Sequence, residues 1–113
     1  MNAPFRVVEG KLYIDDKLVG LPELVDQVLL INELIIYRLK LTGINICNRN
    51  IGAYSLSGEL MWRIPEIESK LDFKSYDKMY IDDQGRLIAM NYTGPNFCVD
   101  LQSGSITYVS STR

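Results

Sequence analysis

The stretch Val28-Leu29-Leu30-Ile31-Asn32-Glu33-Leu34-Ile35-Ile36-Tyr37 decides how this chain is read. Apolar residues fill it on both sides of one polar pair. Leu24, Val28, Ile31, Ile35 and Leu39 fall at helical spacing, Pro22 suits a first helical position, and Gly43 could cap the end. The rival is a hairpin of 28–31 and 34–37 turned at Asn32-Glu33. Isoleucine-rich composition favours strands. An apolar run covering both faces suits a strand buried between two layers as well as a buried helix. Residues 22–41 therefore remain open between helix and hairpin. The hairpin is preferred because the flanking sequence is β-like and neighbouring segments tend to pair.

Outside this stretch the signal is alternation with period two, broken by short turns. Leu12 and Ile14 precede Asp15-Asp16, and Leu18 follows. Leu60, Trp62 and Ile64 fall on one face after the Ser57-Gly58 turn, and Pro65 ends that strand because it lacks an N–H. Asp82-Asp83-Gln84-Gly85 separates Met79 and Ile81 from Leu87 and Ala89. Phe97, Val99 and Leu101 lead to Ser103-Gly104, after which Ile106 and Tyr108 resume the apolar face. The expected fold is all-β or mostly β: one domain over 1–113, an antiparallel meander of consecutive hairpins, propeller-blade-like or sandwich-like. The polar stretch Ser69–Asp77 is expected to be a loop or one short helical turn. The expected core is Leu12, Ile14, Leu30, Ile35, Leu60, Trp62, Ile64, Ile81, Leu87, Phe97, Val99 and Ile106.

Two echoes recur. Tyr13-Ile14-Asp15-Asp16 returns as Tyr80-Ile81-Asp82-Asp83, and the hairpin around Gly58 aligns without a gap on the one around Gly104. Shared turn chemistry accounts for such echoes as readily as internal repetition does.

Composition narrows the chemistry. The 113 residues include no histidine and two cysteines, and net charge is −2. Histidine-activated nucleophiles and imidazole metal sites are excluded. Cys47 and Cys98 are too far apart for a CxxC pair and too few for structural zinc; they read as buried thiols rather than a disulfide. No metal or cofactor is expected. Paired carboxylates, such as Asp82 and Asp83 or Glu66 and Glu68, are the remaining acid–base groups. Neighbours on a strand point to opposite faces, so Asp82 and Asp83 read as turn acceptors.

Basic residues are scattered and the chain is slightly acidic, so nucleic acid is not an expected partner. The N-terminal residues lack a signal-peptide layout, and Glu33, Arg38 and Lys40 interrupt the most apolar run. The chain is expected to be cytoplasmic, with no membrane partner.

Asn50-Ile51-Gly52-Ala53-Tyr54-Ser55-Leu56-Ser57-Gly58-Glu59-Leu60-Met61-Trp62 resembles the outer hairpin of quinoprotein-type β-propeller blades. Ser55 stands where that pattern has Asp, and the turn before Gly58 is one residue shorter. Around Gly104 the Asp is kept as Asp100, and Tyr108 replaces the Trp. The resemblance covers a minor part of the chain and implies a propeller-like meander, since a closed propeller takes about 4–8 blades. Small bacterial proteins of unknown function look similar in outline, some of them resembling immunity proteins. No residue matches a quinone- or metal-binding position.

Open sheet edges invite pairing, so self-association or a protein partner at an edge is expected. Candidate contact residues are Tyr54, Tyr76, Tyr80 and Tyr92, as tyrosines of a sheet-face patch, and Arg49, as the charged anchor of the loop containing Asn45, Asn48 and Asn50. The expected function is a non-enzymatic protein-interaction module, with an immunity-type inhibitor of a bacterial toxin as its sharpest form. A small carboxylate- or tyrosine-dependent enzyme and a structural subunit of a propeller-like assembly are the alternatives.

Overall fold

The computed structural model describes residues 4–40, 48–67, 75–91 and 93–111. All its regular elements are strands: β1 Phe5–Val8, β2 Lys11–Ile14, β3 Lys17–Leu18, β4 Val25–Ile31, β5 Leu34–Leu39, β6 Ile51–Ser55, β7 Leu60–Arg63, β8 Tyr76–Ile81, β9 Leu87–Asn91, β10 Pro95–Val99 and β11 Ile106–Ser111. They form three antiparallel sheets, ordered β1-β2-β3, β4-β5-β6-β7 and β11-β10-β9-β8. Each sheet is thus a run of consecutive hairpins, as expected. No helix among the described residues is long and apolar enough to cross a membrane.

Residues 28–37 form a hairpin, with Ile31 opposite Leu34. Asn32 and Glu33 both take positive φ, 49° and 64°. That geometry matches the right-handed twist of the flanking strands, which is why two-residue hairpin turns adopt it. Asp15 and Asp16, at φ 52° and 60°, do the same between β2 and β3.

The doubly apolar run finds its explanation in layering. The second sheet lies between the other two, and β5 is buried on both faces. Ile35, Tyr37 and Leu39 pack with Leu12, Ile14 and Val25 toward the first sheet. Ile36 packs with Ala53, Trp62, Met79, Leu87 and Phe97 toward the third. A strand with two apolar neighbours needs no polar side, so its alternation vanishes.

Polar clamps reinforce the second interface. Gln27 donates from Nε2 to the Met79 carbonyl (2.6 Å) and accepts the Met79 N–H at Oε1 (3.3 Å). Fully buried Asn50 donates from Nδ2 to the Tyr76 carbonyl (2.7 Å) and accepts the Tyr76 N–H (2.9 Å). Each carboxamide acts as a substitute peptide group and fixes β8 against the second sheet, satisfying backbone groups that would be costly to bury unpaired. The Trp62 indole N–H donates to the Leu101 carbonyl at 2.8 Å, and its ring lies over Gly104, where a Cβ would sit 2.5 Å from it.

Several expectations need correction. Leu60 is 52% exposed. A bulge puts Leu60 opposite Tyr54 and Trp62 opposite Ala53, so the two do not share a face; one extra residue reverses strict alternation. Leu30 and Ile81 are 50% and 40% exposed. Both have core neighbours on their face, but each sits near the turn end of an edge strand, where one flank stays open. Ile106 is only partly buried against the core. Tyr76 and Asp77, assigned to a loop, begin β8; 68–74 lie outside the described residues. Cys98 is a free, half-buried thiol, and Cys47 lies outside the described residues.

Candidate interaction surface

The tyrosines chosen from sequence do not form one patch. Tyr76 is fully buried, its hydroxyl donates to the Pro65 carbonyl at 2.8 Å, and its ring meets Phe97 edge-on. Burial pushes this phenol well above its ordinary value. Tyr54 is half-buried and stacks at a tilt on Tyr37, 5.7 Å between centroids, on the side of the first sheet. Burial raises its pKa while the Arg63 charge opposes the shift. Tyr80 is 45% exposed on the far side of the third sheet. Tyr92 lies outside the described residues. Arg49 is exposed, but its guanidinium donates to the carbonyls of Ile64 (3.0 Å) and Arg63 (3.4 Å), tying its turn to the end of β7. Asn50, read as a loop residue, is the clamp described above.

The carboxylates serve the turns. Asp82 accepts the N–H groups of Gln84 (3.0 Å) and Arg86 (2.8 Å) and pairs with the Arg86 guanidinium at 2.7 Å. Partial desolvation works against its charge, but the Arg86 and Gln84 hydrogen bonds and the Arg86 charge outweigh it and hold the carboxyl below the usual range. Backbone N–H groups of Gln102 and Ser103 lower Asp100 in the same way. A cavity of about 340 Å³ opens beside β3; its lining includes Leu12, Leu18, Leu24, Lys11, Lys40 and one carboxylate, Glu23. Two converging carboxyls, which hydrolytic acid–base chemistry would need, are not found there.

Register exposes a repeating arrangement that bears on the outer faces. The turn after β6 closes with the Ser55 N–H on the Glu59 carbonyl, and the turn after β10 with the Asp100 N–H on the Ser105 carbonyl. One step in from these closures lie Leu30, Ile35, Tyr54 and Leu60 in the second sheet, and Ile81, Leu87, Val99 and Ile106 in the third. These rows face the preceding sheet. Two steps in lie Leu29, Ile36, Ala53 and Trp62, which pack onto the third sheet. The matching row of the third sheet is Tyr80, Ile88, Cys98 and Thr107. Its side chains belong to neither core cluster; Ile88 is nonetheless buried, whereas Tyr80 is exposed.

The sequence echo therefore reflects a structural correspondence, shifted by one residue. The turn after Asp100 is one residue longer than that after Ser55, so Ala53 corresponds to Cys98 rather than Val99.

Edge strands differ in their defences. β4 carries Asp26, β7 Arg63, and β8 Asp77 with Lys78, each beside a bulge. β11, Ile-Thr-Tyr-Val-Ser-Ser, has no charge; Tyr108 is 58% and Val109 39% exposed. A register shift at Val109 is its one departure from a regular edge. Charges and bulges are the usual protection against pairing, and β11 has the least of it.

Against known families, residues 3–110 match a model described as Domain of unknown function (DUF7957). The chain belongs to the DUF7957 family. No curated protein and no solved structure matches it. Within the DUF7957 domain, Tyr80 on the outer face of the third sheet and the uncharged β11 edge are the exposed features that the two core clusters do not use.

Proposed function

We propose that this chain is a non-enzymatic protein-interaction module that docks through the outer face of the third sheet and the adjoining β11 edge. Exposed Tyr80 and the uncharged β11 edge carry the reading: Tyr80 and Thr107 end a row one of whose middle members, Ile88, is buried, and the corresponding row of the second sheet is core. Exposed aromatics beside uncharged backbone donors and acceptors are what a docking partner uses, by burying rings and by adding a strand. An immunity-type inhibitor of a bacterial toxin, acting by covering a surface of its target, is the specific form we put forward. Affinity capture from the source cells with wild-type, Tyr80→Glu and Tyr108→Glu proteins tests it. The partner is expected on the wild-type chain and lost from both folded variants, and a toxin so captured is expected to be inactive in the complex. Equal capture by all three would refute the assignment.

A further inference from the structure

The cavity beside β3 belongs to the first sheet and to the segment that leads into β4; no described residue of the third sheet lines it. Its volume is about 340 Å³, at the small end of the ~300–1,000 Å³ of small-molecule sites. Backbone bonds fix its walls. The Val19 N–H donates to the Leu12 carbonyl (2.9 Å), the Val25 N–H to the Gly10 carbonyl (2.7 Å), and the Lys40 N–H to the Leu24 carbonyl (2.7 Å). Gly10 and Leu24 are also in close contact, since a Cβ on Gly10 would stand 2.9 Å from that of Leu24. The lining is mainly aliphatic. Leu12 is buried, while Leu18 and Leu24 are 57% and 47% exposed. Gly20 borders open space, because a Cβ there would meet nothing within 4 Å.

Charge is placed unevenly around this lining. The chain carries −2 overall, yet Lys11 and Lys40 line the cavity against the one carboxylate of Glu23. Among the described residues no ion pair holds either ammonium. The two lysines come from different sheets but share one end of the cavity. Gly10, which precedes Lys11, bonds to Val25, and Lys40 bonds to Leu24. Leu18 and Val19 lie farther along β2, opposite Tyr13 and Leu12. Cationic groups thus meet at the Leu24 end, and aliphatic side chains continue from there toward β3.

We propose that this cavity binds a medium-chain aliphatic carboxylate, with its head group at Lys11 and Lys40 and its tail along Leu12 toward Leu18. Tail burial supplies affinity, and the two ammonium groups select the sign and direction of the ligand. An uncharged chain of equal length gains the first contribution alone, and a short carboxylate the second alone.

The experiment follows amide chemical shifts of the isotope-labelled full chain as octanoate is added through the millimolar range, below its micelle threshold. Octanol and acetate are parallel probes. The chains are wild type, a Lys11→Gln, Lys40→Gln double variant, and Gly20→Phe, which fills the open space. Both lysines are exposed, and Gly20 is outside the left-handed region, so unchanged spectra away from the cavity are expected to confirm folding. In wild type, octanoate should give saturable shifts within 10–24 and at Lys40, leaving Tyr80 and β11 unmoved. Octanol should bind at least about threefold more weakly, and acetate should give no saturable shift. The double variant should lose at least about threefold for octanoate and nothing for octanol. Gly20→Phe should weaken both by at least about tenfold. Absence of saturable shifts, or shifts centred elsewhere, would overturn the site. Equal binding of octanoate and octanol, or a double variant that binds octanoate like wild type, would overturn the anionic ligand. Undiminished binding to Gly20→Phe would put the ligand outside the cavity. Partner capture through Tyr80 is a separate readout, so the docking surface stands or falls independently of these results.

Discussion

The two interfaces of the central sheet are built differently. Toward the third sheet, twelve buried residues among those described form one cluster around Trp62, Tyr76 and Phe97, and Gln27 and Asn50 clamp the backbone of β8. Toward the first sheet the buried cluster has six described residues, mostly aliphatic. Its cross-links are backbone bonds at the margin, such as the Val25 N–H to the Gly10 carbonyl at 2.7 Å. Apolar packing supplies cohesion on both sides, but among the described residues it is the third sheet whose strand backbone is also clamped by carboxamide side chains. The first sheet is therefore the part expected to loosen without unfolding the remainder.

Trp62→Ala gives the largest expected effect. It removes the indole over Gly104 and the bond to Leu101, and should cost about 3–5 kcal/mol in chemical denaturation. Phe5→Ala, at the thinner interface, should cost about 1–2 kcal/mol. Equal losses would erase the distinction. Next comes Asn50→Ala, which leaves the Tyr76 N–H and carbonyl without that partner in a buried setting and should cost about 2–4 kcal/mol. Gln27→Ala should cost less, because its site is only part-buried.

The paired glycines sharpen the same contrast. Gly58 and Gly104 both have positive φ, 91° and 76°, so an alanine at either is strained by about 1–2 kcal/mol. At Gly104 the added carbon also meets Trp62, whereas at Gly58 its nearest neighbour is Ile14 at 3.9 Å. Gly104→Ala should therefore be the worse by roughly 1–3 kcal/mol, measured as a difference in unfolding free energy.

Sequence made the hairpins legible because turn chemistry is local. Asp15-Asp16, Asn32-Glu33 and Ser103-Gly104 mark reversals without knowledge of the rest. It also made the burial of Leu12 and Trp62 legible through alternation, and that of Ile35 through the unbroken apolar run around it. What it hid depends on non-local pairing. The bulge that separates Leu60 from Trp62 exists only against β6. Asn50 looks like any turn asparagine until β8 arrives beside it. Of the residues chosen as contacts, Tyr80 is exposed on the outer face of the third sheet, while Tyr76 differs from it only in which side of β8 it takes, and a bulge between Tyr76 and Lys78 resets that side.

The smallest effect comes from acid. The carboxyls of Asp82 and Asp100 lie below their ordinary values in the folded chain, so their contribution is complete above pH ~4 and is lost as pH falls through the lowered values. Thermal midpoints should drop below pH ~4 in wild type and less steeply in the Asp82→Asn, Asp100→Asn double variant. Parallel curves would show that these turns do not sense acid.

Native-state hydrogen exchange, residue by residue, tests most directly the layering of three sheets around β5. The amides of Ile35 to Leu39, covered on both faces, should exchange slowest, with β8 and β9 close behind and β1, β3 and β11 far faster. Protection of β5 no greater than that of β11 would contradict the arrangement.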